Sequence, residues 1–227
     1  MPKYKVYFLY CFLFFVLPFQ SEAQFNFGVG YSIGKINPEI DRGITKTFNE
    51  NNSWLEDKLE PINVLQGLHL SLRYRWEFVA FDFTWRNRFR TKQASGIDPA
   101  TNATFKRKLT HRYISYSLGI ENFIGAFSYG GSIDFENLAL RTEVTGVDGD
   151  FNITNDYGLG SHFFVAYNLD AGDFLDFSIR PYVHIPWQKY NIAAVAEELN
   201  GDISSSSLNE NYINFGIMFI FYNGNKD

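Results

Sequence analysis

The chain has 227 residues and a formal net charge of −5, and 19% of its residues are aromatic. A mean hydropathy of −0.20 is too polar for a bundle of membrane helices, and the aromatic content excludes a disordered chain. The acidic balance offers no general attraction to nucleic acid, so no nucleic-acid partner is expected. These values are typical of an aromatic-rich β protein.

The first 23 residues have the pattern of an export signal. Two lysines precede an apolar run over residues 6–19, and small residues follow at the positions that a signal peptidase requires. The run is shorter than the roughly 20 residues that a membrane-spanning helix needs. We therefore predict a signal peptide over 1–23 and a mature chain, 24–227, that begins at Gln24. The only cysteine lies inside the predicted signal, so the mature chain is expected to have neither a disulfide nor a catalytic thiol.

From Gln24 onward, apolar and polar residues alternate with period two in eight segments of about ten residues, the length of a tilted transmembrane strand. The segments cover 25–34, 67–76, 79–88, 113–121, 127–135, 162–169, 175–184 and 213–222. Tight turns at Glu77, Asn122 and 170–173 are predicted to alternate with connections of very roughly 15–30 residues. A soluble sandwich could show the same alternation, but it gives no reason for connections that alternate in length, whereas an outer-membrane barrel does.

Over residues 25–222, this pattern resembles the small eight-stranded outer-membrane β-barrel family, the OmpA/OmpX-like proteins, in the aromatic-rich type of Bacteroidetes. The resemblance implies an all-β fold: an eight-stranded antiparallel up-and-down transmembrane β-barrel with short periplasmic turns and long external loops. It also implies a location in the cell outer membrane and a non-enzymatic role, either structural or through interactions of the loops. On this interpretation residues 24–227 form one barrel domain.

The polar face of the segments carries charges of both signs in equal number. An eight-stranded barrel has an interior just wide enough for side chains to fill, and charges enclosed there must pair. We therefore expect a salt-bridge network that plugs the lumen; a narrow channel is the alternative. The predicted network consists of Arg73, Arg75, Arg86, Arg88 and Arg180 with Asp82, Glu121, Asp134, Glu136 and Asp176.

All four histidines have inward parity, and strand direction places His111, His162 and His184 towards the external rim. With Asp134 and Glu136 between them, these imidazoles could hold a metal or act as a general base on a lipid ester. A lipid A-modifying hydrolase is therefore a second alternative. Inward histidines also form structural hydrogen bonds, and the favoured expectation is a protein with no catalytic residues, no metal and no cofactor.

Three loop motifs lead to local predictions. The Asp148-Gly149-Asp150 segment lacks the glycine and the closing glutamate of a calcium loop, so a solvated turn is predicted. A capping box at Ser53 predicts a short helix over 53–59. The alanine-rich stretch 192–199 predicts another helix.

Basic residues cluster around the hairpin of the third and fourth segments. Between Arg86 and Arg112 lie 8 basic residues and a single acid, at the expected external edge of the membrane. Lipopolysaccharide presents phosphates at this level, and arginine and lysine bind phosphate. We predict lipopolysaccharide contact, in addition to the surrounding outer-membrane lipids, through Arg90, Lys106, Lys108 and Arg112. A solvated basic hairpin is the alternative, and contact with a larger envelope assembly stays open.

Overall fold

The computed structural model describes residues 24–146, 149–172, 175–201 and 208–223, so the predicted signal peptide lies outside the described residues. The elements in chain order are β1 (Gln24–Ile36), α1 (Glu39–Asn51), β2 (Leu55–Asp57), β3 (Val64–Trp76), β4 (Val79–Ile97), β5 (Thr104–Ile124), β6 (Phe127–Val144), β7 (Phe151–Asp170), β8 (Leu175–Pro186), β9 (Tyr190–Asn191), α2 (Ala193–Asn200), β10 (Asn209–Glu210) and β11 (Asn214–Asn223).

Eight long strands form a closed ring. In the order β1, β3, β4, β5, β6, β7, β8 and β11, each strand pairs antiparallel with the next, and β11 returns to pair with β1, where Gly216 lies opposite Gly34. A closed sheet satisfies its backbone hydrogen bonds without an open edge, which is what lipid requires. The predicted eight-stranded up-and-down barrel is confirmed.

The two faces of each barrel strand have opposite character. On β4, Phe81 and Phe83 are about half exposed, whereas Asp82 and Thr84 between them are buried. We call the outward apolar side chains the apolar belt; they belong to residues 25–33, 68–76, 79–85, 114–124, 127–135, 159–169, 175–185 and 215–221. About nine residues per strand, at about 3.3 Å each and a tilt of about 40°, give a height of roughly 23 Å, close to that of a bilayer-facing band.

The turns at one end of the barrel are short. Glu77, with φ of 49°, lies in the turn between β3 and β4, and Gly125, with φ of 61°, lies in the turn between β5 and β6. The second turn was predicted at Asn122, but Asn122 pairs with Val79 inside the ladder. The chain reverses three residues later because Gly125 accepts a left-handed backbone conformation at little steric cost.

At the other end, two of the four predicted long loops are wrong. β4 and β5 stay paired as far as Ile97 and Thr104, so only 98–103 connect them, and only 145–150 connect β6 to β7. The hairpins continue beyond the apolar belt, where the outward face meets water. Outward residues there are polar, such as Thr91 and Gln93, and this removes the alternation by which a strand is recognised.

The other two external connections contain helices. The predicted helix over 192–199 is confirmed as α2, whereas the helix predicted over 53–59 is wrong. Leu55 pairs there with Gly96 as part of β2, and its side chain is buried. The helix in this connection is α1, which comes earlier and ends where the Asn52 backbone amide donates to Phe48. Of the predicted turn at 148–150, Asp148 lies outside the described residues, and Gly149 has a φ of 84°.

These helices and the extended hairpins enclose a second, apolar core, which we call the cap. Its buried members include Ile44 and Phe48 of α1, Val195 and Leu199 of α2, and Leu109 of β5. Each helix therefore buries an apolar face against the other and against strands that project from the barrel. No helix within the described residues is long and apolar enough to cross a membrane.

One carboxylate holds α1 in place from the far end of the chain. Glu210 Oε2 accepts hydrogen bonds from the backbone amides of Ile40 at 2.7 Å and Asp41 at 3.1 Å. The first amides of a helix have no partner within the helix, and a negative charge beside them is favourable. The hydrogen bonds thereby join the first and the fourth external connections, 170 residues apart in sequence, across the barrel mouth.

The belt leads to a matched pair of arginine substitutions. Ile217 lies within the belt between Ile33 and Pro181, and Ile217→Arg should destabilise the folded state by about 2–4 kcal/mol, because a charge near the bilayer midplane is poorly solvated. Ile97→Arg, at the exposed end of β4, should change stability by less than about 0.5 kcal/mol. Urea unfolding in lipid vesicles, followed by tryptophan fluorescence, measures both. Equal losses would contradict the proposed position of the membrane.

Candidate functional site

The lumen contains a lower layer of ion pairs, near the short turns, with Glu121 at its centre. The Glu121 carboxylate accepts from Arg73 Nη2 at 2.6 Å, from Arg180 Nη2 at 2.7 Å and from Ser128 Oγ at 2.5 Å. Arg73 also donates Nε to Asp82 at 3.1 Å. Its guanidinium lies 3.6 Å from the centre of the Tyr222 ring. Both arginines are thus held by hydrogen bonds as well as by charge.

An upper layer lies between this group and the cap. Arg86 Nη2 is 2.7 Å from Asp134 Oδ2, and Ser132 donates to the other oxygen of Asp134 at 2.6 Å. Glu136 accepts from Tyr190 at 2.8 Å and also from Tyr113 and His184. Tyr190 belongs to the fourth external connection, so its hydroxyl ties the cap to the lumen. Burial and the nearby Glu136 carboxylate raise the pKa of Tyr190, which keeps this hydroxyl protonated as a donor.

The hydrogen bond with Asn214 determines which ring nitrogen of His184 carries a proton. Arg88 Nη1 donates to Asn214 Oδ1 at 2.8 Å, so the amide nitrogen of Asn214 faces the other way, 2.8 Å from His184 Nδ1. Because an amide nitrogen only donates, His184 Nδ1 must accept. The imidazole proton is then on Nε2, which donates to Glu136. His184 is therefore neutral.

With a neutral His184, the buried charges of the lumen cancel among the described residues. Four arginines and four carboxylates are buried there: Arg73, Arg86, Arg88 and Arg180, with Asp82, Glu121, Asp134 and Glu136. Arg75 and Asp176, which the sequence also assigned to the network, are only half-buried at the lower end. Arg75 donates there to the Glu77 carbonyl. Balanced and hydrogen-bonded charges are what a closed interior can accommodate.

Ligand atoms of Asp134, Glu136 and His184 lie within 4.8 Å of one another, a geometry that could hold a metal. Their bonding favours a structural role instead. A metal on His184 Nε2 would displace the proton given to Glu136 and force one onto Nδ1, against the Asn214 amide. It would also add positive charge beside Arg86 and Arg88. All three ligand residues are buried beneath the cap, with 3% exposure or less.

The histidines do not form the predicted rim cluster. His162 and His184 lie opposite each other on β7 and β8, with ring centroids 6.2 Å apart. His111 lies instead inside the cap, where its Nε2 is 3.6 Å from Asp41 Oδ1 of α1. Tyr212 also lies there, and burial beside Asp41 and Glu210 raises the pKa of its hydroxyl. None of these groups has a solvent-exposed surface, since each is at most 4% exposed.

Basic residues of β5 form a separate group on the outside of the protein, which we call the basic face: Lys106, Lys108 and Arg112. Arg112 comes directly before the first belt residues of this strand and donates Nε to Asn87 at 3.1 Å. Lys108 pairs with Glu143 at 2.9 Å. Both interactions leave further N–H groups available to a ligand.

Two arginines change the predicted composition of this group. Arg90 lies on the inward face of β4, away from the basic face, and is half-buried. The ammonium of Lys92 lowers the pKa of Glu60, and Arg90 adds to this effect, which places Arg90 near the first external connection. Arg141 of β6 could not be assigned to this group from the sequence. It pairs with Thr110 of β5, which lies between Lys108 and Arg112. Its Nη1 is 3.3 Å from Asp150.

No protein-family model matches the chain, and no curated protein is significantly similar to it. Among solved structures, Ail, the attachment invasion locus protein of Yersinia pestis, in complex with the heparin analogue sucrose octasulfate, matches 89% of this chain and 97% of its own at a TM-score of 0.50 and 9% identity. The chain has the fold of the small eight-stranded outer-membrane β-barrels. A second Ail structure covers 90% of this chain and 98% of its own at a TM-score of 0.45 and 9% identity. Neisserial surface protein A covers 89% and 99% at 0.39 and 11% identity.

The lower layer predicts unequal costs for two glutamate substitutions. Glu121→Gln leaves the buried Arg180 guanidinium without a carboxylate and removes one of the two carboxylates that bind Arg73, so it should cost about 3–5 kcal/mol. Glu143→Gln breaks an exposed pair with Lys108 and should cost less than about 1 kcal/mol. Urea unfolding of the folded barrel in lipid vesicles gives both values. Similar costs for the two variants would show that the lumen pairs are as weakly coupled as surface pairs.

Proposed function

We propose that this protein is a non-enzymatic outer-membrane barrel with a closed lumen, which acts through its external surface. The observation that carries the proposal is the neutral, hydrogen-bonded network of the lumen beneath an apolar cap. A filled interior favours a role as anchor over a role as pore. Burial of His184, Glu136 and Tyr113 also argues against a lipid A-modifying hydrolase, because a substrate would need a route through the cap.

A closed barrel leaves the external part to make the contacts. The two long hairpins extend the sheet beyond the membrane, and the cap packs against their inner side, so the external part is an ordered platform rather than a set of separate loops. Such a platform suits a structural or interaction role in the envelope. The Ail structure with sucrose octasulfate is a precedent, in another protein of this fold, for a polyanionic sugar as ligand.

For this chain the basic face favours lipopolysaccharide as the anionic ligand. Arg112 lies directly above the belt, where lipid A phosphates are expected, and Lys106 and Lys108 follow on the same face of β5. Arg112 retains both Nη amino groups for a bidentate contact with phosphate. Arg141 adds a fourth cation on the adjacent strand, whereas Arg90 is not part of the proposed contact because it lies on the other face.

Conductance tests the closed lumen. Purified protein in planar bilayers should give no steady current, because ion pairs and aromatic side chains occupy the axis of the barrel. A porin reconstituted in the same lipid is the positive control. Steady unitary currents from the folded protein would instead support the narrow channel.

Lipopolysaccharide retention tests the basic face. The triple variant Lys106→Gln, Lys108→Gln and Arg112→Gln should co-purify with less lipopolysaccharide and lose the thermal stabilisation that added lipopolysaccharide gives. The matched control replaces three exposed cations of the first external connection, Arg42, Lys46 and Lys58, by glutamine. Mass spectrometry of the bound lipid measures retention. If both triple variants retain as much lipid as the unmodified protein, the proposed contact is wrong.

A further inference from the structure

A small cavity lies on the barrel axis between the two layers of ion pairs. It has a volume of about 20 Å³ and is lined by residues of seven of the eight barrel strands, among them His69 of β3 and His162 of β7. These two imidazoles are 3% and 1% exposed. Neither ring nitrogen of either histidine has a hydrogen-bond partner in the protein. The space is sufficient for one small occupant the size of a water molecule or slightly larger.

The charges around the cavity are not arranged symmetrically. Besides burial, the groups that act on His69 are the guanidinium groups of Arg86, Arg73 and Arg88. For His162 they are Arg86 and Arg88, together with the imidazoles of His184 and His69. Although the lumen as a whole is neutral, guanidinium groups are therefore the charged groups that act on both histidines.

The other polar lining groups are donors, apart from one carboxylate. Arg86 and Arg180 contribute guanidinium groups, which also pair with Asp134 and Glu121, and Thr84 and Ser132 contribute hydroxyls. Asp82 also lines the cavity, but its carboxylate is already paired with Arg73 at 3.1 Å. A site with unpartnered imidazole N–H groups, guanidinium groups close by and a carboxylate that is already paired has the features that stabilise an anion.

We infer that the cavity between His69 and His162 binds a small monovalent anion of the size of chloride. The two imidazoles donate N–H bonds to the anion from opposite sides of the barrel, and the Thr84 hydroxyl provides a third donor. Binding would join β3, β4 and β7 through one ligand and so stabilise the closed lumen, independently of any lipopolysaccharide contact outside.

Bromide provides a direct probe, because it replaces chloride and has a usable anomalous signal. Crystals of the unmodified full barrel grown in sodium bromide should show an anomalous peak in the cavity, within hydrogen-bond distance of a ring nitrogen of each histidine. Density of water height without an anomalous signal would overturn the inference. This experiment needs no variant and therefore does not depend on how substitutions affect folding.

Thermal unfolding in detergent provides the second measurement. At equal ionic strength, the unfolding midpoint should be higher in chloride or bromide than in acetate, by about 5–10 °C at an anion concentration about 100 times Kd. His69→Leu and His162→Leu should abolish this difference. His111→Leu is the matched control, since His111 is also buried and without a hydrogen bond but lies in the cap, and it should retain the difference.

The two measurements together distinguish a site from a crystal artefact. A bromide peak combined with equal midpoints in chloride and acetate would mean an adventitious ion only, and the inference would be wrong. Loss of the chloride effect in His111→Leu as well would show that the stabilisation does not come from this cavity. A peak, a chloride-dependent midpoint and its loss in only the two cavity variants would support the site.

Discussion

Closure of the sheet in lipid is the constraint on which the rest of this structure depends. Backbone groups inside a bilayer have no water to bind, so the eight strands must pair in a ring. A ring of eight strands encloses a space that side chains fill. Charged residues that face inward then need partners within that space. The two layers centred on Glu121 and on the Arg86–Asp134 pair provide carboxylates for Arg73, Arg180 and Arg86, whereas Arg88 donates to Tyr182 and Asn214.

The same constraint explains why the two ends of the barrel differ in structure. On the side of the short turns the ladders end at the edge of the apolar belt. On the other side β4 to β7 continue into water, and their inner faces are covered by α1 and α2. The cap is joined to the lumen through Tyr190 and Glu136, and its two connections are joined through Glu210 and the amide ends of α1. With the interior occupied in this way, the exposed surface outside the membrane is where interactions are available.

The barrel was predictable because lipid imposes one simple rule on each strand, apolar outward and polar or small inward. Where lipid ends, the rule ends, and the predicted loops after β4 and β6 were wrong for that reason. Parity alone could have excluded Arg90 from the outward set, since it shares the face of Arg86 and Arg88. The contacts of Tyr190 with the lumen and of Glu210 with α1 could not have been predicted, because both residues belong to an irregular connection with no periodic pattern.

Pairing of the lumen charges is the central claim, and a double-mutant cycle on Arg86 and Asp134 tests it most directly. Urea unfolding in lipid vesicles would be measured for Arg86→Met, Asp134→Asn and the double variant. Each single substitution leaves one buried charge without its partner and should cost about 3–5 kcal/mol, while the double variant should lose far less than the sum of the two. Losses that add would contradict the account, because they would mean that these charges do not stabilise one another.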